Sequence, residues 1–523
     1  MRKHTLTAGD HVLVIGFGPV AVRLVEELLP LVETGRLRVT VLGEEDRPGY
    51  NRVLVGEYGV GRLDAEGLEL VDLDDWRRRG VRVELDTRVD WLDRAARQAH
   101  AHRGSEELVV GYDLVVLAVG ARPNIPNLRG LNPDPAALTP LPTGVTALRT
   151  VADADRMRAC VTEGGRVVVL GGGVLGLEVA LAAREAGCPV SVVHAAPWLL
   201  TRSCDRVGGA MLDRAVADRG LRVIPDAVAR EVLLDERRAF RGLRLADGQI
   251  ISGDLLVLSC GVRVNTRIAE GAGLTTEAGI VVNHELEADP QARVFAIGDC
   301  AEVRCTDPVC TVCPARRGRG PAGLIAPGWQ QAEWLAARWQ AELDTASGPV
   351  EPMPTEEPVV VRLKARGLEL VAAGETAGEP WEHDPDPAAP RVAHWVDGVG
   401  GRFLKLVVRE DRLAGFVALG LPRAAAELAV LQRTGAEPPT DPSLLLRLDA
   451  PAGGGAGTGS ARAADPLCRC AGVSEAAVVD AIDAGADSVA AVRRETRAGS
   501  GCGGCGDRVR ALLLDCESAR AVP

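Results

Sequence analysis

Two glycine fingerprints, each set between an apolar run and a stretch with helix-like spacing, constrain this chain more than any other feature. The first is His11-Val-Leu-Val-Ile-Gly-Phe-Gly-Pro-Val-Ala21. The second, about 155 positions further on, is Arg166-Val-Val-Val-Leu-Gly-Gly-Gly-Val-Leu-Gly-Leu-Glu178. Each reads as strand, tight turn, helix. Gly16 and Gly18, like Gly171 and Gly173, allow a turn that a Cβ would obstruct, and they let backbone N–H groups approach a pyrophosphate at the positive end of the helix. Ala21 and Gly176 take the small third position, where helix and strand pack closely. One such match is weak, because glycine turns also follow strands for structural reasons. Two on one chain are poorly explained by chance.

The residues after each fingerprint extend the pattern. After Arg38-Val-Thr-Val-Leu42 come Glu44 and Glu45, one of which can accept hydrogen bonds from an adenosine ribose; Glu44 is favoured. In the second unit Pro189-Val-Ser-Val-Val193 ends at His194, where an acid normally contacts the ribose. No arginine cluster for a 2′-phosphate comes after it, which favours NADH over NADPH. Tyr112-Asp-Leu-Val-Val-Leu-Ala-Val-Gly120 runs from a strand into a small-residue turn suited to close backbone approach. In Val294-Phe-Ala-Ile-Gly-Asp-Cys300, a strand ending at Gly298 and Asp299 can set a carboxylate against a ribityl hydroxyl at the carboxyl edge of a parallel sheet.

Length and charge narrow the class. A chain of 523 residues holds three or four domains. Its net charge of −12 argues against nucleic acid and against an anionic membrane surface as partners. No apolar run approaches ~18 residues, and the N-terminus enters a strand with no signal-peptide core, so a cytoplasmic location is expected. In that reducing compartment the 13 cysteines are not expected as disulfides. Cys160, Cys188, Cys204, Cys260 and Cys516 are single and read as small buried thiols.

The other eight cysteines cluster. Cys468-Arg-Cys470 is followed by 31 residues and Cys502-Gly-Gly-Cys505. Two close pairs can gather onto one iron–sulfur cluster, with the surrounding glycines leaving N–H groups to point at sulfur. The C-x-C pair is tighter than usual zinc spacing, and a zinc-stapled helical tail is the lesser alternative. Between the pairs, Ser474-Glu-Ala-Ala-Val-Val-Asp-Ala-Ile reads as a capped helix and 486–497 as a second. Cys300, Cys305, Cys310 and Cys313 form the other group, in a Pro/Arg/Gly-rich insertion. The spacing of Cys305, Cys310 and Cys313 suits an iron–sulfur or zinc site with Cys300 or a distant thiol as fourth ligand, and equally a solvated loop with Cys300 a mere neighbour of the Gly298-Asp299 motif.

From about residue 346 the composition changes. Val359-Val-Val-Arg-Leu-Lys and Phe403-Leu-Lys-Leu-Val-Val-Arg alternate apolar with charged residues, as in a half-exposed antiparallel sheet, with a helix over 423–434. Asp449-Ala-Pro-Ala-Gly-Gly-Gly-Ala-Gly-Thr-Gly-Ser460 has the composition of a flexible linker.

The two fingerprints, Ala118-Val-Gly120, Gly261-Val-Arg-Val-Asn265 and Ala296-Ile-Gly-Asp299 together resemble a glutathione-reductase-like flavoprotein reductase, an FAD domain interrupted by an NAD domain. Val119 and Val264 stand where that family has threonine and proline. Pro48-Gly-Tyr-Asn-Arg52 resembles the segment beside the flavin in the nitrite-reductase and ferredoxin-reductase branches, with Arg52 as a cofactor contact and Gly56 where many relatives have serine. No CxxxxC comes after the first fingerprint, so the redox disulfide of some relatives is missing and electrons leave the flavin by another route. The tail resembles a bacterioferritin-associated-ferredoxin-type [2Fe–2S] domain.

The resemblance implies an α/β chain with two Rossmann-like domains, an α+β interface domain and a small helical [2Fe–2S] domain. The expected boundaries are 1–150 and 266–345 for the FAD domain, the latter with the cysteine-rich insertion, and 151–265 for the NAD domain. The interface domain takes 346–448, the linker 449–465 and the cluster domain 466–517. It also implies that Glu178 positions the nicotinamide, that Gly261 belongs to the flavin site, and that the whole resembles the electron-input half of assimilatory nitrate and nitrite reductases. The partner is then a molybdopterin nitrate reductase or sirohaem nitrite reductase subunit, since neither centre is on this chain. A small electron carrier such as ferredoxin or rubredoxin, or an oxygenase, is the alternative, and a non-enzymatic iron or redox sensor is the alternative of another class. A homodimer is allowed.

Overall fold

The computed structural model describes residues 6–131, 140–304, 323–344, 350, 353, 360–382, 386, 389–449, 466–468, 471–501 and 503–520. Strand Asp10–Ile15 lies at the centre of a six-stranded sheet, flanked by Leu37–Leu42 and Leu114–Leu117, with Arg82–Glu84, Val294–Ala296 and Glu287–Asp289 outside them. All pairings are parallel except the last. Both faces of such a sheet are covered, so its strands read as near-continuous apolar runs. Helix Pro19–Glu33 packs one face with Ala21, Leu24, Val25 and Leu28, and helix Ile325–Leu343 packs along it. A proline at the first helical position costs no hydrogen bond, which suits Pro19 to open the helix directly after Gly18.

The second sheet is fully parallel, in the order Arg222–Ile224, Val190–Val193, Val167–Leu170, Leu255–Leu258, Val145–Thr146. Its last strand corrects the expected boundary at residue 151. Val145 and Thr146 pair with Leu256 and Val257, and Leu128 already lies in the second domain's core. The chain therefore crosses over near Pro123, where Ala121–Pro123 pairs antiparallel with the returning Val262–Val264. A strand of two residues has no periodicity to betray it.

The third unit is a five-stranded antiparallel sheet, Val360–Ala365, Leu368–Gly374, Arg412–Leu419, Arg402–Arg409 and Arg391–Asp397, with helix Pro422–Thr434 on one face. The expectation of a half-exposed sheet is corrected here. Phe403 to Val407 are all buried, because helices Val174–Glu185 and Arg206–Ala217 of the second domain cover the other face and share one core with it. The linker boundary shifts by one residue: the Asp449 carboxylate accepts from the N–H groups of Arg423 and Ala424 at 3.0 and 2.9 Å and so caps this domain's helix.

The C-terminal unit has a core of its own, built from Leu467, Val473, Val478, Ile482, Val492 and Val509. Helices Glu475–Asp483 and Val489–Thr496 start at Ser474 and Ser488, whose hydroxyls accept from N–H groups three residues on. Helix Gly506–Arg520 closes the domain. Among the described residues no helix is long and apolar enough to cross a membrane.

Candidate functional site

The carboxyl ends of the central strands of the first sheet meet at one point. Gly16 has φ +102°, and a Cβ there would lie 2.4 Å from the Ala118 carbonyl oxygen, so only glycine lets the two turns touch. Gly18 precedes helix Pro19–Glu33 with no side chain capping it, and its own Cβ position faces the Arg52 guanidinium at 3.9 Å. The uncapped N–H groups, pointed at open space beside an arginine, fit a pyrophosphate. The second fingerprint repeats this. Gly171 has φ +125° and a Cβ on it would meet the Ser259 carbonyl at 2.1 Å, while Gly173 caps helix Val174–Glu185 with no described atom within 4 Å of its Cβ position. Gly176 packs the helix onto that turn, as Ala21 does in the first unit.

Glu44 ends the strand Leu37–Leu42 in an exposed position, 3.7 Å from Arg88. Glu45 is committed: it accepts from the Tyr50 hydroxyl at 2.8 Å and from Arg52, whose guanidinium also covers the Tyr50 ring. Gly298 and Asp299 form a short turn after Val294–Ala296, where Arg149 reaches Asp299 at 3.3 Å. The Nε of Arg149 is buried and has no protein partner among the described residues. Asn265, from the Gly261 to Asn265 run, donates to the Val119 carbonyl at 2.8 Å and its N–H reaches the Gly120 carbonyl. That amide fixes the turn opposite Gly16 and explains why an asparagine ends the motif.

His194 lies where the sequence places it, but its ring packs against Gly172 and is 5% exposed. Burial lowers its pKa, so the imidazole is neutral. Its Nε2 is a buried atom without a hydrogen-bond partner among the described residues, and a ribose hydroxyl would satisfy it. Glu178 is half-buried on helix Val174–Glu185, one residue before Val179, which touches the Cβ position of Gly56.

The cysteines divide. Cys468 and Cys505 are both buried in the core of the C-terminal domain. Cys470 and Cys502 lie outside the described residues, as do Cys305, Cys310 and Cys313. Cys300 is fully buried beneath the first site, its single S–H placed 3.2 Å from both the Leu117 and Ile297 carbonyls. Burial pushes its thiol up to about 11. This arrangement supports the reading of Cys300 as a neighbour of the Gly298-Asp299 turn.

Two contacts are not legible in the sequence. Asn51, 0% exposed, donates to the carbonyls of Ser500 and Gly501 at 2.7 and 2.6 Å. In the other direction Arg493 donates to the Gly67 carbonyl at 2.7 Å. The turn that carries Cys502 and Cys505 thus rests on residues 51–69, a segment whose Val55 and Leu68 pack, beside Tyr50, into the second domain's core. In this segment Gly56 faces Val179 and Leu148 of the second domain, and Arg52 faces Gly18 of the first. A second unexpected group is Lys405, 0% exposed, whose ammonium lies 2.6 Å from Asp205 and 2.5 Å from the Gly378 carbonyl, with His394 3.1 Å from the same carboxylate.

Comparison with known proteins agrees with this geometry. Residues 10–324 match the family model of pyridine nucleotide-disulphide oxidoreductases, and residues 466–514 that of the BFD-like [2Fe-2S] binding domain. A nitrite reductase [NAD(P)H] of Bacillus subtilis is 28% identical over 96% of this chain and 57% of its own length. An assimilatory nitrate reductase electron transfer subunit of the same organism is 25% identical over 96% of this chain and 59% of its own. The chain thus spans little more than half the length of these curated relatives. Putidaredoxin reductase, solved in covalent complex with putidaredoxin, shares the fold with a TM-score of 0.67 at 22% identity, over 84% of this chain and 96% of that one. The chain belongs to the pyridine nucleotide-disulphide oxidoreductase family. It is an NAD(P)H-dependent oxidoreductase with sites for FAD, NAD(P)H and a [2Fe–2S] cluster.

Proposed function

We propose that this chain takes electrons from NADH and delivers them, through FAD and the [2Fe–2S] cluster, to a separate nitrate- or nitrite-reducing subunit. The observation that carries this reading is that Asn51, next to the Arg52 that faces Gly18, holds the chain that leads into the second cysteine pair. Bound FAD supplies the conversion of a two-electron hydride donor into a one-electron source, and the cluster accepts those electrons one at a time. The protein's part is placement. The uncapped helix ends after Gly18 and Gly173 hold the two pyrophosphates, Asp299 the ribityl chain and Glu44 the adenosine ribose. Glu178 sets the nicotinamide and His194 the second ribose, and the four cysteines 468, 470, 502 and 505 hold the cluster. Each NADH then yields NAD⁺, a proton and two electrons for the acceptor.

The full-length relatives named as nitrite reductase and nitrate reductase electron transfer subunit support the choice of acceptor. The test is anaerobic. Addition of NADH to the reconstituted chain should bleach the flavin and then the cluster, and mixing with a sirohaem nitrite reductase or molybdopterin nitrate reductase subunit should reoxidise both in the presence of nitrite or nitrate. If only a ferredoxin or rubredoxin reoxidises the cluster, the acceptor assignment is wrong.

A further inference from the structure

The C-terminal domain meets the rest of the molecule differently from the way the second domain meets the antiparallel sheet. The second domain and the antiparallel sheet share one apolar core, in which Leu177, Val179 and Leu212 pack with Leu370, Phe403 and Val417. Among the described residues, the C-terminal core joins none of the others. Its contacts to the first domain are chiefly polar. Asn51 holds the Ser500 and Gly501 carbonyls, Arg493 holds the Gly67 carbonyl, and Arg497 lies 3.6 Å from Glu333 on helix Ile325–Leu343. Interfaces of this kind, with each side folded on its own core, are those that open and close.

Arg493 is the odd member. It is 9% exposed, yet among the described residues it meets no carboxylate within ion-pair distance; its guanidinium donates to a backbone carbonyl on another domain, and its Nε has no partner there either. A buried cation so spent stabilises the C-terminal domain little, since that domain is apolar inside. It is suited to orienting one domain on the other. Asn51 grips the chain at Ser500 and Gly501, and Gly503 lies against Leu54.

We propose that Arg493 is a positioning residue that seats the [2Fe–2S] domain in its electron-accepting pose on segment 51–69 of the flavin domain, the pose from which it later parts to reach the acceptor. This rests on the relay reading above. In the seated pose one electron passes from flavin to cluster with no bond made or broken, so the rate depends on how the two are held.

The test uses the full-length reconstituted chain and three readouts: flavin content, NADH-driven reduction of a small dye by the flavin, and cluster bleaching in a single turnover followed by stopped flow. Arg493→Ala should slow cluster bleaching by about tenfold or more, with flavin content and dye reduction unchanged. Arg493→Lys, which keeps the charge but not the fork of donors, should fall between. Arg497→Glu sets a like charge against Glu333 at a half-exposed site, so it leaves the domain folded even if Arg493→Ala does not retain its cluster. It should slow bleaching in the same direction. Solution scattering should show both variants more extended than the parent. Cluster bleaching at the parental rate in Arg497→Glu and in any cluster-loaded Arg493 variant overturns the proposal. A parent chain whose cluster is never reduced by NADH instead overturns the relay on which it rests.

Discussion

Asn51 joins the two ends of the chain. Its side-chain oxygen accepts from the N–H of Val53 at 3.0 Å and caps the short turn Arg52–Leu54, while its nitrogen donates to Ser500 and Gly501, some 450 positions away. One fully buried amide thus shapes the segment beside the first fingerprint and fixes the cysteine turn upon it. An amide satisfied at both ends is geometrically exacting, and loss of either half leaves buried groups without partners.

Asn51→Asp isolates the second role. The carboxylate still caps Val53 but sets negative oxygen against two carbonyls. It should weaken seating of the C-terminal domain by about 1–3 kcal/mol. Faster hydrogen exchange at the amides of residues 499–505, with the core strand Asp10–Ile15 unchanged, is the expected result.

Lys405 and Asp205 form the buried ion pair between the second and third domains, 2.6 Å apart. Lys405→Met should cost about 3–5 kcal/mol in urea unfolding, because it strands a carboxylate. Asp205 also caps helix Arg206–Ala217 by accepting from Gly208. The double variant Lys405→Met, Asp205→Asn should recover much of the loss, since asparagine keeps the cap without the charge.

These residues mark where reading the sequence stops. The fingerprints are legible because a glycine at φ above +100° and an apolar strand are local necessities, visible without knowing what lies opposite. The capped helices of the tail are legible for the same reason. Strand alternation points Lys405 at solvent, but the helix that buries it comes from 200 positions earlier in the chain. Asn51, Arg149 and Arg493 act through carbonyls or carboxylates far away in sequence, and nothing in their neighbours announces it. Val145 and Thr146 fall on the wrong side of the expected boundary because a two-residue strand has no pattern.

The second domain carries a pH signature. Arg166 makes a two-pronged contact with Asp254, at 2.9 and 3.0 Å, and this hydrogen-bonded pairing holds the Asp254 carboxyl down at about 2. A carboxyl depressed in the folded state lends stability above its unfolded value near ~4 and loses it as pH falls toward about 2. Both side chains are more than a third exposed, so screening keeps the contribution below ~1 kcal/mol. Asp254→Asn should therefore lower the urea midpoint slightly at pH 7, with the difference from the parent shrinking below pH 4. A difference constant across that range would show that the contribution of Asp254 does not depend on its ionisation.

Cys300 is predicted to be silent. Its buried, protonated thiol should resist alkylation at neutral pH in the folded chain and react only on unfolding. Metal and labile-sulfide analysis of a chain ending at Asp449 tests the insertion separately from the tail. Replacement of Cys300 by alanine should leave any metal found there unchanged. Loss of that metal would return Cys300 to the ligand set and require its side chain to turn out of the core.

The most consequential prediction concerns the exit of electrons. No CxxxxC pair comes soon after the first fingerprint, and the proposed route from flavin to acceptor runs through the cysteine tail. The glycine-rich stretch after Asp449 has the composition of a flexible coil. A coil of that composition and of the length of 450–465 would have a typical span of ~5–6 Å times the square root of its length, on the order of 20–25 Å, comparable with the diameter of a small domain. In the proposed relay the tail would leave Asn51 without any core being opened, because among the described residues its core is separate from the others. Removal of 450–523 should leave flavin binding and NADH-driven dye reduction near parental, because a small dye reaches the flavin directly. Reduction of the nitrate- or nitrite-reducing subunit should collapse. Cys502→Ser, which removes one cluster ligand but keeps the tether, should behave like the truncation. A truncated chain that still reduces its acceptor at the parental rate would show that the flavin feeds it directly, and the tail would then be a docking or sensing module.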